Sequence, residues 1–267
     1  MKCYAQKAVI YSSPERSVYI GKLEREMKRV SAASTLTLSI DKELELIDEN
    51  SGRTYFTRCL LTPAGTEVSL NTHDATLAIV FLDTLGKDLS KLKPYMTKTI
   101  EMANSQSVYL DSQHTEKYIL YAKAVYCTKT PNEHITEIFK EWDHFQPSKA
   151  LPYEADARVE KVIKLIKDNY AENTSVEHLA RAVNLSVPRL TQLFKKVTGT
   201  PIRQFRLWQR VFIAAHKLNE GYSLTEAALH AGFSDYAQFS RVYKKLVGAS
   251  PSAARNNIEI RVLKEIA

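Results

Sequence analysis

The hydrophobic pattern changes character about a third of the way along the chain. Up to residue 83 the apolar positions fall in short β-branched and aromatic runs at 5–11, 35–40, 44–47, 55–61 and 77–82. Turn-forming clusters separate them: Ser12-Ser13-Pro14, Asn50-Ser51-Gly52 and Pro63-Ala64-Gly65. Short strands with turn signals between them predict a small barrel or sandwich. From Lys87 the apolar positions recur at helical spacing, first as Leu89, Leu92, Tyr95, Met96 and Ile100, then as Tyr118, Ile119, Ala122 and Val125, then as Ile135, Ile138, Phe139 and Trp142. The two prolines of QPSKALPY, residues 146–153, interrupt the helical runs and mark a linker. Val159, Val162, Ile163 and Ile166 then open a further helical region.

The most informative stretch is Leu224 to Arg255. Small residues Ala227, Ala228 and Ala231 let a second helix cross closely, and Gly232 can take the left-handed conformation that ends a helix. Ser234 or Asp235 can cap the helix that follows, whose buried stripe is Phe239, Val242, Tyr243 and Leu246. Ala237, Ser240, Arg241 and Lys244 fall on its outer face. A short helix, a tight turn and a second helix with a basic outer face is a helix-turn-helix pattern.

The pattern occurs twice. Leu179, Ala180, Val183, Asn184, Leu185 and Ser186 lie over Ala227, Ala228, Ala231, Gly232, Phe233 and Ser234, with Asn184 at the left-handed position. After a one-residue insertion, Leu190, Leu193, Phe194, Lys195, Lys196 and Gly199 match Phe239, Val242, Tyr243, Lys244, Lys245 and Gly248. Between the copies, Pro201 to Asn219 reads as one helix, with Thr200 as its cap and Gly221 as its stop. At 1.5 Å per residue it is roughly 28 Å long, against ~34 Å between successive major grooves on one face of DNA.

Residues 156–255 resemble the DNA-binding domain of the AraC/XylS-type family of bacterial transcription regulators. The matching runs are LSVPRLTQLFKKVTGTP, IRQFRLWQR and AGFSDYAQFSRVYKKLVGASP. The resemblance implies an α+β chain. An N-terminal, mainly-β cupin-like barrel with accessory helices (residues 1–145) would sense a small molecule or dimerise. A linker (146–155) would lead to an all-α domain (156–255) with two helix-turn-helix motifs joined by a long helix, leaving a C-terminal tail (256–267). It also implies a sequence-specific regulator, an activator rather than a repressor, with double-stranded DNA, RNA polymerase, a small-molecule effector and a second copy of the chain as partners.

Composition supports the same division of labour. Residues 1–150 hold 19 Lys and Arg against 19 Asp and Glu, and residues 151–267 hold 18 against 11, so the whole net charge of +7 sits with the paired motifs. Cys3, Cys59 and Cys127 form no CxxC pair and read as reduced thiols. There is no long apolar run, and MKCYAQKAVIYSSPER lacks an apolar signal core, so a cytoplasmic protein without membrane contact is expected. His73 stands without a second histidine nearby, so neither a metal nor a cofactor is expected.

A helix enters the major groove with its exposed stripe forward. In the first motif Pro188, Arg189, Thr191 and Gln192 are the base-facing candidates, with Gln192 suited to adenine, Thr191 to a thymine methyl and Arg189 at the flank within phosphate reach. In the second they are Ala237, Gln238, Ser240 and Arg241, with Arg241 suited to guanine O6 and N7. Lys195, Lys196, Lys244 and Lys245 are assigned to phosphates. Trp208 on the connecting helix is expected to pack between the two motifs, whereas Arg206 and Arg210 are left open between packing and DNA. The competing class is an alkyl-transfer repair enzyme carrying the same module. It requires a reactive cysteine in a Pro-Cys-His-like setting, which none of the three cysteines has.

Overall fold

The computed structural model describes residues 8–12, 16–49, 51–102, 106–127, 156–169, 172, 174–247, 250–252 and 258–262. Its N-terminal part is built on two sheets. The larger has strand order β10-β11-β7-β4-β9-β2-β1-β12, with β1 Ala8–Ser12, β2 Ser17–Lys22, β4 Thr35–Ser39, β7 Cys59–Thr62, β9 Thr76–Phe81, β10 Met96–Glu101, β11 Ser107–Ser112 and β12 Ile258–Val262. The smaller has order β3-β8-β5-β6, with β3 Glu26–Val30, β5 Leu44–Asp48, β6 Arg53–Thr57 and β8 Glu67–Asn71.

Alternation along the strands explains the layers. Leu36 and Leu38 of β4, with Val80 and Ala78 of β9, point to the outer face of the larger sheet. There Leu92 of α1 (Lys87–Leu92) and Tyr118, Ile119, Ala122 and Val125 of α2 (Thr115–Cys127) cover them. On the inner face, Leu60, Val108 and Leu110 meet Met27, Leu46, Val68 and Leu70 of the smaller sheet. The larger sheet is thus buried on both faces, which is why its strands read as continuous apolar runs.

The α2 stripe forms as the sequence predicts. The stripe from Leu89 to Ile100 does not stay helical: α1 stops at Leu92, a 3-10 turn holds Lys93–Tyr95, and Met96 opens β10. Pro94 ends the helix, and Met96 and Ile100, four apart, satisfy the strand period as well as the helical one. The third stripe (135–142) and the linker (146–153) lie outside the described residues. The N-terminal sheet accordingly extends to residue 112 and draws in a strand from the tail.

Helices α3 Ala157–Asp168, α4 Val176–Ala182, α5 Val187–Thr198, α6 Ile202–Asn219, α7 Leu224–His230 and α8 Tyr236–Val247 make up the second part. Within it the 18-residue α6 belongs to two cores. Ile202 and Phe205 pack with Leu179, Leu190 and Phe194, while Val211 and Ala214 pack with Ala228, Phe233, Phe239 and Tyr243. Thr200 is buried and its hydroxyl unbonded, so it does not cap α6; Pro201 occupies that position.

Three of the contacts between the two parts among the described residues are these. Trp208 of α6, packed on the core of the second motif, also stacks on Phe81 of β9 with ring centroids 4.8 Å apart, so it joins that motif to the β-domain. The Pro63–Gly65 turn meets the end of α5 so closely that a Cβ on Gly65 would lie 2.5 Å from the Gly199 carbonyl oxygen. The third contact is β12, which pairs parallel to β1 from Ala8↔Ile258 to Ser12↔Val262. A chain ending at residue 256 leaves the β1 backbone unpaired on that side. Its amides at 8–12 are expected to exchange faster by hydrogen–deuterium exchange, while those of α5 keep their protection.

Candidate nucleic-acid interface

The two helix-turn-helix units are held by local signals. Asn184 at φ 55° and Gly232 at φ 83° both adopt the left-handed turn. Ser186 caps α5 by accepting from Arg189 N at 3.4 Å, and Asp235 caps α8 by accepting from Gln238 N at 2.7 Å. Ser223 and Glu226 close a reciprocal capping box at the start of α7. Contact with the backbone amide of Gln238 holds the Asp235 carboxyl below its ordinary range.

With Leu190, Leu193 and Phe194 buried, α5 turns outward Pro188, Arg189, Thr191, Gln192, Lys195 and Lys196, all exposed. Arg189 Nη1 donates to Gln192 Oε1 at 3.1 Å, so these two form one patch, and the second lone pair of that oxygen remains to accept from adenine N6 while Nε2 donates to N7. Thr191 Oγ1 donates to the Val187 carbonyl at 2.9 Å, which leaves its methyl as the group to offer a base. On α8, Ala237, Arg241, Lys244 and Lys245 are exposed, and Gln238 and Ser240 are half-buried. Gln238 Oε1 accepts from Ser234 N at 3.0 Å, a capping duty the sequence does not reveal. The basic side chains of both outer faces are exposed.

Arg206 donates to the Thr174 carbonyl, and both Arg206 and Arg210 are half-buried, with burial lowering their pKa. Arg206 is thereby held within the α-domain, and neither arginine lies on the outer face of α5 or α8.

A second feature lies between the two parts. The inner-face residues Ile10, Tyr19, Ile79 and Phe81 of the larger sheet face α6 and α8 across a cavity of about 650 Å³, part of it open to solvent. Trp208, Val211, Phe212, Tyr243 and Val247 form the opposite wall. Burial pushes the Tyr243 hydroxyl up to about 12. Nothing in the sequence points to this cavity, because its walls come from elements some two hundred residues apart.

Among the described residues no three His, Cys, Asp or Glu gather as a metal site. His73 Nε2 lies 3.2 Å from the Glu45 carboxylate. No described helix is long and apolar enough to cross a membrane. Cys59 is fully buried, and burial pushes its thiol up to about 12, the reverse of what a nucleophile needs. Cys127 is disulfide-bonded, which corrects the expectation of three reduced thiols; distance along the chain does not show which cysteines folding brings together.

Two short helix-turn-helix units on one long helix, with basic outer faces, define a double helix-turn-helix DNA-binding domain. The family described as helix-turn-helix domain matches residues 179–257. The arabinose operon regulatory protein of Escherichia coli is 35% identical over 109 residues, which are 40% of this chain and 37% of that protein. The Msm operon regulatory protein of Streptococcus mutans is 34% identical over 104 residues, 39% of this chain and 37% of that protein. The chain thus spans well under half the length of the curated relatives it matches. Over this domain the chain is similar to helix-turn-helix transcription regulators of the AraC/XylS type.

The fold as a whole is ToxT-like. A crystal structure of apo ToxT from Vibrio cholerae superposes over 93% of this chain and all of that one, with TM-score 0.60 at 12% identity. ToxT bound to an unsaturated fatty acid superposes over 92% of this chain and 96% of that one, with TM-score 0.58 at 14% identity.

Proposed function

We propose that the chain is a sequence-specific DNA-binding transcription regulator whose β-domain senses a small molecule and which recruits RNA polymerase as an activator. The observation that carries the DNA reading is the pair of exposed basic faces on α5 and α8, held by one α6 that belongs to both motif cores. An 18-residue helix spans about 27 Å, close to the ~34 Å between major grooves on one face of the duplex. The apolar cavity between the β-domain and α6/α8 supports the effector reading. A ligand there touches both parts and shifts how they sit, which is what an effector must do to change DNA affinity. ToxT, of the same fold, makes a fatty acid one ligand to try.

The test is to select genomic fragments with the full chain and measure affinity for a selected fragment against a scrambled one. Gln192→Ala and Arg241→Ala are each expected to cost about 1–3 kcal/mol on the selected fragment and little on the scrambled one. Equal affinity for both fragments in the parent chain would end the reading. In vitro transcription from the selected fragment decides the direction: an activator raises the transcript, and a fall marks a repressor.

A further inference from the structure

The outer faces of α5 and α8 each carry a glutamine, and the two amides are held differently. Gln192 Oε1 accepts from a side chain, Arg189 Nη1 at 3.1 Å, which can swing away. Gln238 Oε1 accepts from the backbone N–H of Ser234 at 3.0 Å, in the turn that leads into α8. The Ser234 hydroxyl lies 3.3 Å from the same oxygen and 3.0 Å from Asp235 Oδ2. Both contacts turn Gln238 Oε1 back toward Ser234.

A backbone N–H can only donate, so it fixes which end of the amide is which. A flipped amide would set its NH2 group against that N–H and forfeit the bond. Nε2 is therefore the outward end. It has no partner among the described residues and is not one of the buried unbonded side-chain atoms, so it opens to solvent. Gln238 stands in the first turn of α8, three residues ahead of exposed Arg241, where a recognition helix meets base edges.

The duplication carries the same polarity. Phe239 of the second copy matches Leu190 of the first, so Gln238 stands where Arg189 stands. Arginine can only donate. A glutamine whose oxygen is occupied by the turn does likewise, so the leading position of both motifs offers donors alone.

An unrestrained glutamine pairs with adenine through both ends of its amide, accepting from N6 and donating to N7. Gln238 lacks the accepting half, since its oxygen stays at Ser234. We propose that Gln238 is a donor-only specificity determinant: it reads a major-groove acceptor, O6 or N7 of guanine or O4 of thymine, and gains nothing from the amino group of adenine or cytosine. This rests on the DNA reading above.

The experiment first selects sites with the parent chain and with Gln238→Ala; the base pair whose preference is lost marks where Gln238 reads. That pair is then altered by single groups. For guanine, 7-deazaguanine and 2-aminopurine remove an acceptor, and 5-methyl-2-pyrimidinone removes thymine O4. Purine and 2-pyrimidinone remove the amino group of adenine and cytosine. Loss of the acceptor is expected to weaken the parent about fivefold or more, the lower end of what one mismatched pair costs, and to leave Gln238→Ala unaffected. Loss of the amino group is expected to change both chains equally. Gln238→Glu separates reading from capping, because its carboxylate still accepts from Ser234 N but has nothing to donate. It is expected to keep the parent's unliganded Tm and to lose the response to the missing acceptor.

A parent chain weakened by loss of the amino group, with that response gone in Gln238→Ala, overturns the proposal. So does a Gln238→Ala chain that selects the parent's sites unchanged, since the glutamine then only caps the turn. A Gln238→Glu chain that keeps the parent's response to the missing acceptor overturns it as well. In all three cases the parent still prefers its selected sites, and the DNA reading stands. A parent chain with no preference for any site removes both.

Discussion

Phe239→Ala is expected to remove about 3–5 kcal/mol from the second helix-turn-helix and, with it, most of the affinity for a selected DNA fragment. Phe239 is fully buried, with ring centroids 5.3 Å from Phe233 and 5.5 Å from Tyr243. It is the keystone of the small core that α7 and α8 share with the second half of α6. A loss of that size is a large fraction of the ~5–15 kcal/mol by which a typical domain is stable. The first motif has its own core around Phe194 and Phe205, centroids 5.6 Å apart, so the damage is expected to stay local. Hydrogen exchange of the full chain checks this: amides of α7 and α8 lose protection while those of α4 and α5 hold theirs. A uniform loss over both motifs would mean that α6 couples them into one cooperative unit.

That separation explains why the DNA-binding half is legible in the sequence. Its determinants are local. Asn184 and Gly232 mark the turns, Ser186 and Asp235 the caps, and four apolar positions at helical spacing the buried side of each second helix. Once the buried side is known, the exposed side follows from the 3.6-residue period.

The β-domain obeys different rules. Strands β2 and β11 have no distinct alternating signature, since the larger sheet is covered on both faces, and β3 hides its own by placing Arg29 inside, while β8 alternates cleanly but over only five residues. The smaller sheet pairs β3 with β8, about forty residues away, and β12 reaches β1 across nearly the whole chain. Such partners are set by tertiary packing, to which a local pattern is blind. The docking of Trp208 on Phe81 is hidden for the same reason: an apolar residue on a helix predicts burial but not the surface that buries it.

The interdomain geometry changes how the DNA-binding half has to be viewed. In an isolated double helix-turn-helix, α6 is only a spacer. Here its Trp208, Val211 and Phe212 also form one wall of the cavity whose other wall is the inner face of the β-domain. Tyr243 lies in that wall while Arg241 and Lys244, its neighbours on α8, face outward. One helix therefore presents a cavity-facing side and an exposed basic side, with no intermediary element between them.

Neutralising Lys195, Lys196, Lys244 and Lys245 together, each to glutamine, is expected to flatten the salt dependence of DNA binding. All four are exposed on the outer faces of α5 and α8. Each lysine at a phosphate displaces a condensed counterion, and the slope of log K against log salt changes by about 0.9 per contact. Four contacts give a change of roughly 3.6, which over a fourfold rise in salt from ~50 to ~200 mM amounts to about a hundredfold. The variant should accordingly fall furthest below the parent at low salt and converge on it as salt rises. Its ratio of affinities for selected and scrambled fragments should stay near that of the parent, because phosphates position the protein without reading sequence. Gln192→Ala and Arg241→Ala should behave in the opposite way, eroding that ratio. Fluorescence anisotropy at several salt concentrations separates the two patterns. An unchanged slope in the lysine variant would place the duplex on some other face of the α-domain and remove the basis for assigning α5 and α8 to the groove.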